Sequence, residues 1–282
     1  MKKLLMTVII CICSIQIITA QQDTPVATST YPGEPFDFFG YDARSFTFAG
    51  RPAKLAFPRE AAPGNPWIWR ALFWGHEPQT DTALLRIGYH VAYIEVADLH
   101  GSPAAVEVWE QFYKYLTTTF SLSPKTVLEC FSRAGLIGYN WAARHPEQVA
   151  CIYADAPVLD IKSWPGRKGP VSAKNDKGEQ KKLWEQCLQA YGLSEQEAMT
   201  FKGNPVDNLK PLAAHRIPLL HICGMADEVV PYEENTGVLV KRYHALGGTV
   251  REIKKPGVGH HPHSLTDPAP IVQFILENNR ER

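Results

Sequence analysis

The sequence predicts an α/β protein: a doubly wound, mostly parallel sheet carrying an inserted helical cap. Three observations point there. Short β-rich apolar runs alternate with amphipathic helical stretches over most of the chain, and parallel strands joined by right-handed helical crossovers satisfy that pattern. The alternation stops over residues 156–216, where a Gly- and Lys-rich loop (166–178) and two helical patterns intervene, and then resumes. Ligands bind outside the strand ends of such sheets, so an insertion there reads as a cap over a site. Finally, 282 residues with 45% hydrophobic content suffice for one large domain, spanning 41–282, with an elaboration.

The amino-terminal segment reads differently. Residues 1–20 begin with Lys2 and Lys3, continue as an apolar run broken by Ser14 and Gln16, and stop at Ala20 before Gln21. That order of basic, apolar and small residues is the form of a cleavable secretory signal. A membrane anchor competes, because the run approaches spanning length. Neither Cys11 nor Cys13 follows a small residue, which speaks against a lipoprotein site. The expectation is a secreted or periplasmic protein with no stable membrane anchor after cleavage. Residues 21–40, rich in Thr, Pro and Gly, form a leader that wraps or dangles. Lys+Arg and Asp+Glu both total 29, so no net charge steers the chain to nucleic acid or an anionic membrane. Cys130, Cys151 and Cys223 fall in or beside apolar strand-like runs where free thiols are common; with Cys187 they imply no essential disulfide.

Taken in order, strands are expected at 45–49 and 53–57. A buried strand follows at 66–74, where Trp67, Trp69 and Trp74 share one apolar run between turn residues. Then come a helix over 79–86, a strand over 89–96, a helix over 106–120, a strand from Thr126 and a helix ending at His145-Pro146. A strand spans 148–154. Helices at 179–191 and 194–201 belong to the cap. Beyond it the pattern is strand 217–223, helix 232–246, strand 250–254 and helix 267–278.

The chemistry concentrates at three turns. Cys130-Phe-Ser132-Arg133-Ala134-Gly135 joins a buried strand to a helix with a serine at its tip. Such a turn is strained, so small residues are needed two positions either side of the serine; Cys130 and Ala134 are small but not glycine. Gly224-Met-Ala-Asp227-Glu-Val-Val-Pro231 follows strand 217–223, and Pro256-Gly-Val-Gly-His260-His261-Pro-His263 follows strand 250–254. A serine hydroxyl needs an imidazole to accept its proton, and the imidazole needs a carboxylate to fix its tautomer. From about Phe46 to the C-terminus, apart from the cap, the chain resembles the α/β-hydrolase family, whose elbow, acid and base loops come in this order. The resemblance implies Ser132 as nucleophile, Asp227 as acid and His260 as base. Asp155, at the end of the preceding strand, is the rival acid, and His261 or His263 the rival base.

The resemblance also implies an oxyanion hole made from the backbone N–H of Arg133 and one from Trp74, Gly75 or His76. Without it, Ser132 would be an ordinary helix cap and Trp74 ordinary core. The histidine cluster invites a zinc reading, but no Asp, Glu or Cys stands at a recognised spacing from it, so neither metal nor cofactor is expected. Ser-Arg-x-Gly is locally similar to the elbow of glucuronoyl esterases, which implies a guanidinium near the reacting ester. Arg133 could equally form a salt bridge to Glu77 or Asp98. Trp164, beside Pro165 in the cap, is the aromatic residue expected to touch substrate. The expected function is a serine hydrolase cleaving carboxylic esters, acetyl or uronate esters on glycans among them. A serine peptidase, or a silent binding protein on the same fold, is the alternative.

Overall fold

The computed structural model describes residues 31–175, 178 and 180–279. The signal-peptide reading of residues 1–20 and the first half of the leader, residues 21–30, lie outside the described residues. Among the described residues, no helix is long and apolar enough to cross a membrane.

One mixed sheet organises the chain. Its first three strands, β1 (Glu34–Phe38), β2 (Tyr41–Phe48) and β3 (Arg51–Ala56), are an antiparallel meander. Strand β5 (His90–Ile94) pairs antiparallel with β3 and parallel with β4 (Trp67–Arg70). From β4 the sheet continues in parallel through β6 (Thr126–Phe131), β7 (Val149–Asp155), β8 (Leu219–Gly224) and β9 (Val250–Lys255). The spatial order is β1-β2-β3-β5-β4-β6-β7-β8-β9. Strand order therefore reverses at β4, and the crevice beyond the carboxyl ends of β4 and β6 is where such a sheet takes a ligand. The expected leader is corrected here: residues 34–38 form an edge strand on β2. Its side chains are mostly exposed, so it lacks the buried apolar run by which the other strands announce themselves.

Side chains alternate across the sheet, and helices cover both faces. Trp67 and Trp69 of β4 point to the face covered by α2 (Pro103–Thr119), α3 (Ala134–Arg144) and α7 (Thr236–Ala245), while Ile68 points to the other. Helices α1 (Gln79–Arg86) and α8 (Ala269–Asn278) cover that second face. Trp69 stacks on Trp109 with ring centroids 3.9 Å apart and also meets Trp141 edge-on. Both strand tryptophans are wholly buried and belong to the core, where each fully buried large apolar side chain stabilises the fold by about 1.5–3 kcal/mol. The four cysteines after residue 21 are buried and free.

The cap follows β7. It holds α4 (Lys181–Tyr191), stopped by Gly192 at φ 66°, and α5 (Glu195–Thr200). The latter opens with a reciprocal cap in which the Glu197 N–H donates to Ser194 Oγ and the Ser194 N–H donates to Glu197 Oε2. Val158, Ile161, Trp164, Trp184 and Cys187 form a separate apolar cluster that packs onto Leu136 of α3. The expected end of the cap at residue 216 is too late. Val206, Leu209 and Leu212, the last on the short α6 (Lys210–Ala214), already pack into the main core.

Candidate active site

Strand β6 delivers Ser132 at its carboxyl end, and α3 begins two residues later. Ser132 has φ 50°, a left-handed conformation that costs of order 1–3 kcal/mol in a non-glycine residue and persists only when its surroundings hold it. They do so on three sides. The Ser132 N–H donates to Asp155 O at 2.9 Å, and the Ser132 carbonyl accepts from Val158 N at 2.8 Å and Gly135 N at 3.0 Å. The close approach that this turn demands falls on two helix glycines. A Cβ on Gly138 would lie 2.2 Å from Cys130 Sγ, and one on Gly135 would lie 2.5 Å from Val158 O. Gly135 and Gly138 thus make the room, and Cys130 and Ala134 fit beneath the elbow fully buried.

Three side chains from three loops then meet in a line. Ser132 Oγ lies 2.9 Å from His260 Nε2, and His260 Nδ1 lies 2.7 Å from Asp227 Oδ2. The other oxygen of Asp227 accepts from the N–H groups of Val229 and Val230, both at 2.8 Å, so the carboxylate is fixed in orientation. Asp227 stands three residues beyond β8, and His260 five beyond β9. An imidazole held this way carries its proton on Nδ1 and presents Nε2 as a base to the serine.

The rival residues are also placed, and elsewhere. Asp155 Oδ1 is 2.8 Å from His263 Nδ1, and its Oδ2 accepts from the Ser264 N–H at 2.8 Å. Burial raises the Asp155 carboxyl to about 7, against the pull of Lys255 3.7 Å away. Burial, helped by the nearby His260 and His261, lowers His263 to about 3. Asp155 and His263 are therefore a second, buried pair beside the first, and neither touches Ser132 through its side chain. His261 is exposed at the rim.

The loop after β4 faces the elbow. Its geometry narrows the expected oxyanion donors, because the N–H of His76 already donates to Phe73 O at 3.0 Å. His76 is thereby corrected as a donor. The N–H groups of Phe73, Trp74 and Gly75 donate to no acceptor among the described residues, and neither does that of Arg133. The Trp74 indole is turned away to pack against Phe38, 4.4 Å between centroids, and Tyr93. A residue that sequence reading missed holds this loop. Arg70, the last residue of β4 and 1% exposed, donates from Nε to Phe73 O at 2.9 Å and from Nη2 to His76 O. Its remaining nitrogen pairs with Asp81, and Glu129 lies 3.4 Å away. Burial, and then the Asp81 carboxylate, push the Glu129 carboxyl well up from the usual range, which favours its neutral form beside the Arg70–Asp81 pair. An arginine in a run of apolar residues was the available signal, since a buried guanidinium must be paired.

Arg133 follows the serine directly in the turn. Neither expected salt bridge forms: Asp98 is held by Arg51 at 2.7 Å, and Glu77 is 3.8 Å from His76. Glu95, whose charge Arg133 feels, gives its own oxygens to the Tyr93 hydroxyl and the Ala97 N–H. The Arg133 guanidinium instead lies over the Phe73 ring, 5.5 Å from its centroid, and pairs with no carboxylate among the described residues. Burial, together with Arg133, lowers the neighbouring His100 to about 4, which keeps that ring neutral. Trp164, expected to touch substrate, is instead packed into the cap. It is 8% exposed and belongs to the cap cluster, with only the edge of the site near it through His100, 6.3 Å between centroids.

No protein-family model matches the chain, and no curated protein does. Solved structures do. A candidate dipeptidyl aminopeptidase IV from Bacteroides ovatus superposes with a TM-score of 0.60 at 16% identity, over 86% of this chain and 36% of that one. Dipeptidyl peptidase 4 from Porphyromonas gingivalis gives 0.60 at 12%, over 81% and 33%. A candidate lipase from Acinetobacter baumannii gives 0.55 at 13%, over 85% and 93%. The chain spans about a third of the length of the two peptidases and nearly all of the lipase. With the sheet order, the elbow and the loop positions already described, these likenesses establish that the chain has the α/β-hydrolase fold.

Proposed function

We propose that the protein is a serine hydrolase of carboxylic esters, and that its substrates are esters carried on acidic, uronate-containing glycans. Ser132 Oγ attacks the ester carbonyl while His260 Nε2 takes its proton. The tetrahedral oxyanion is met by the N–H of Arg133 and by one from the Phe73–Gly75 segment, at the positive end of α3. Collapse expels the alcohol, to which His260 returns the proton, and leaves an acyl-enzyme on Ser132. Water activated by the same imidazole then releases the acid and restores the serine. Asp227 keeps the ring in register throughout. The chemistry calls for no cofactor, and a secretory signal over residues 1–20 would bring the enzyme to extracellular glycans.

The observation that carries the substrate class is the unpaired Arg133 guanidinium beside the nucleophile. Its fork can donate two hydrogen bonds to a carboxylate, or one to an ester oxygen, and it repels the ammonium group of an aminopeptide. The peptidase alternative draws on the two peptidase-named structures of the same fold. A panel of acetyl esters and uronate methyl esters, run beside aminoacyl nitroanilides, separates the two. Hydrolysis of esters only is expected, and turnover of the nitroanilides alone would replace the esterase with a peptidase. Arg133→Ala should slow esters of acidic glycans more than neutral acetates; equal losses would reduce Arg133 to a general oxyanion contact.

A further inference from the structure

The rim of the site holds a second constellation, built from two loops far apart in sequence. His76 and Glu77 come from the turn after β4, and His261 from the loop after β9, one residue past His260. One ligand atom from each of the three lies within 4.8 Å of the others. His76 and His261 are exposed and face each other edge-on, 6.2 Å between centroids. Glu77 is held in a left-handed conformation at φ 48°, and its Oε2 is buried with no hydrogen-bond partner among the described residues. A buried carboxylate oxygen without a donor is costly, and a cation bound by this side chain, itself 19% exposed, would offset that cost.

We propose that His76, Glu77 and His261 form a binding site for a divalent transition-metal ion of the zinc class, and that its occupancy slows the hydrolase. Two imidazoles and one carboxylate with an open fourth position make a ligand set such ions accept. A tetrahedral ion with ligands at about 2.0–2.2 Å holds them roughly 3.4 Å apart, so the exposed imidazoles need only rotate inward. The sequence offered no ligand set because spacing along the chain cannot show a glutamate contributed by another loop. A second triplet, His260, His261 and His263, is also close together. It is the poorer site, since both nitrogens of His260 are occupied by Ser132 and Asp227.

The effect on catalysis follows from position. The His260 and His261 rings are 5.0 Å apart. A dication on His261 opposes the imidazolium that His260 must become as it accepts the serine proton. It also ties the base loop to the loop that supplies the second oxyanion donor. The slowing rests on the hydrolase reading, whereas the binding does not.

Calorimetric titration of the folded protein with zinc chloride, at neutral pH and in a buffer that does not bind metal, tests the binding. One ion per chain with micromolar affinity is expected, retained in Ser132→Ala and weakened at least tenfold in both Glu77→Gln and His76→Ala. Hydrolysis is measured in parallel, each variant against its own metal-free rate. Zinc should slow the wild type at least fivefold, reversibly with EDTA, and leave Glu77→Gln unaffected. No binding, or binding that survives both substitutions and so sits on the catalytic histidines, overturns the site. Stoichiometric binding with an unchanged rate overturns the brake. If the metal-free protein hydrolyses no ester at all, the esterase reading fails while the titration still decides the site.

Discussion

Asp227 and Asp155 are the same residue type, both buried at the ends of neighbouring strands, and contacts alone tell them apart. Asp227 holds His260 at 2.7 Å, while Asp155 holds His263 at 2.8 Å. Asp227→Asn should therefore leave the geometry in place but favour the wrong imidazole tautomer, lowering kcat by about 10⁴-fold. Asp155→Asn should cost far less turnover, because the ring it touches does not reach Ser132. Steady-state kinetics on one activated ester compares the two, and the reverse ranking would move the acid to Asp155. At this scale the sequence was informative where chemistry comes as a local motif. Ser132, Asp227 and His260 each stood in a turn directly after an apolar strand. Arg70 could be noticed as an arginine in an apolar run, but its role could not be read, because its partners are the Phe73 and His76 carbonyls and the Asp81 carboxylate, which only the folded loop brings to it. Trp164 was legible as aromatic but not as buried, since a tryptophan in a cap suits a substrate shelf and a small core equally well.

Two elements carry the strain of the site. The loop after β4 hangs on Arg70, whose guanidinium binds its carbonyls at both ends. Arg70→Lys keeps the charge that balances Asp81 but cannot span both carbonyls. The expected result is a kcat reduced roughly 10–100-fold with KM little changed, as befits a positioning residue that misplaces a donor. A KM rise at constant kcat would mean that the loop only binds substrate. The elbow depends instead on the fit of α3 against β6. Gly138→Ala sets a methyl against Cys130 Sγ and should lower unfolding stability by about 1–3 kcal/mol, measured by denaturant titration. Adding Cys130→Ala should recover most of that loss, and an additive pair would show that the two positions do not share the space. This exchange explains the missing elbow glycines. The motif asks for small residues at positions 130 and 134, but the requirement is one of volume, and Gly135 and Gly138 meet it from the helix side. Most other helices and strands were readable from periodicity, but the strand expected over 66–74 stops at Arg70, where the loop held by that side chain begins, and the five-residue α6 is too short to show a period. Strand β1 escaped because an edge strand with exposed side chains has no apolar period to read.

Over the whole molecule, the sheet brings the ends of β4, β6, β8 and β9 to one crevice, so that loops separated by more than a hundred residues become neighbours. The fold class was readable because alternation of strands and helices is a property of the entire chain. The cap's far boundary was not, since the last part of the insertion returns to the main core through Val206, Leu209 and Leu212 before the next strand begins. Reaction with a fluorophosphonate probe, followed by peptide mass spectrometry, shows whether this assembly makes Ser132 a nucleophile. A single adduct on Ser132 is expected in the folded wild type, lost on denaturation and strongly reduced in His260→Ala. Folded protein that forms no adduct, or forms it on another residue, would contradict that role for Ser132.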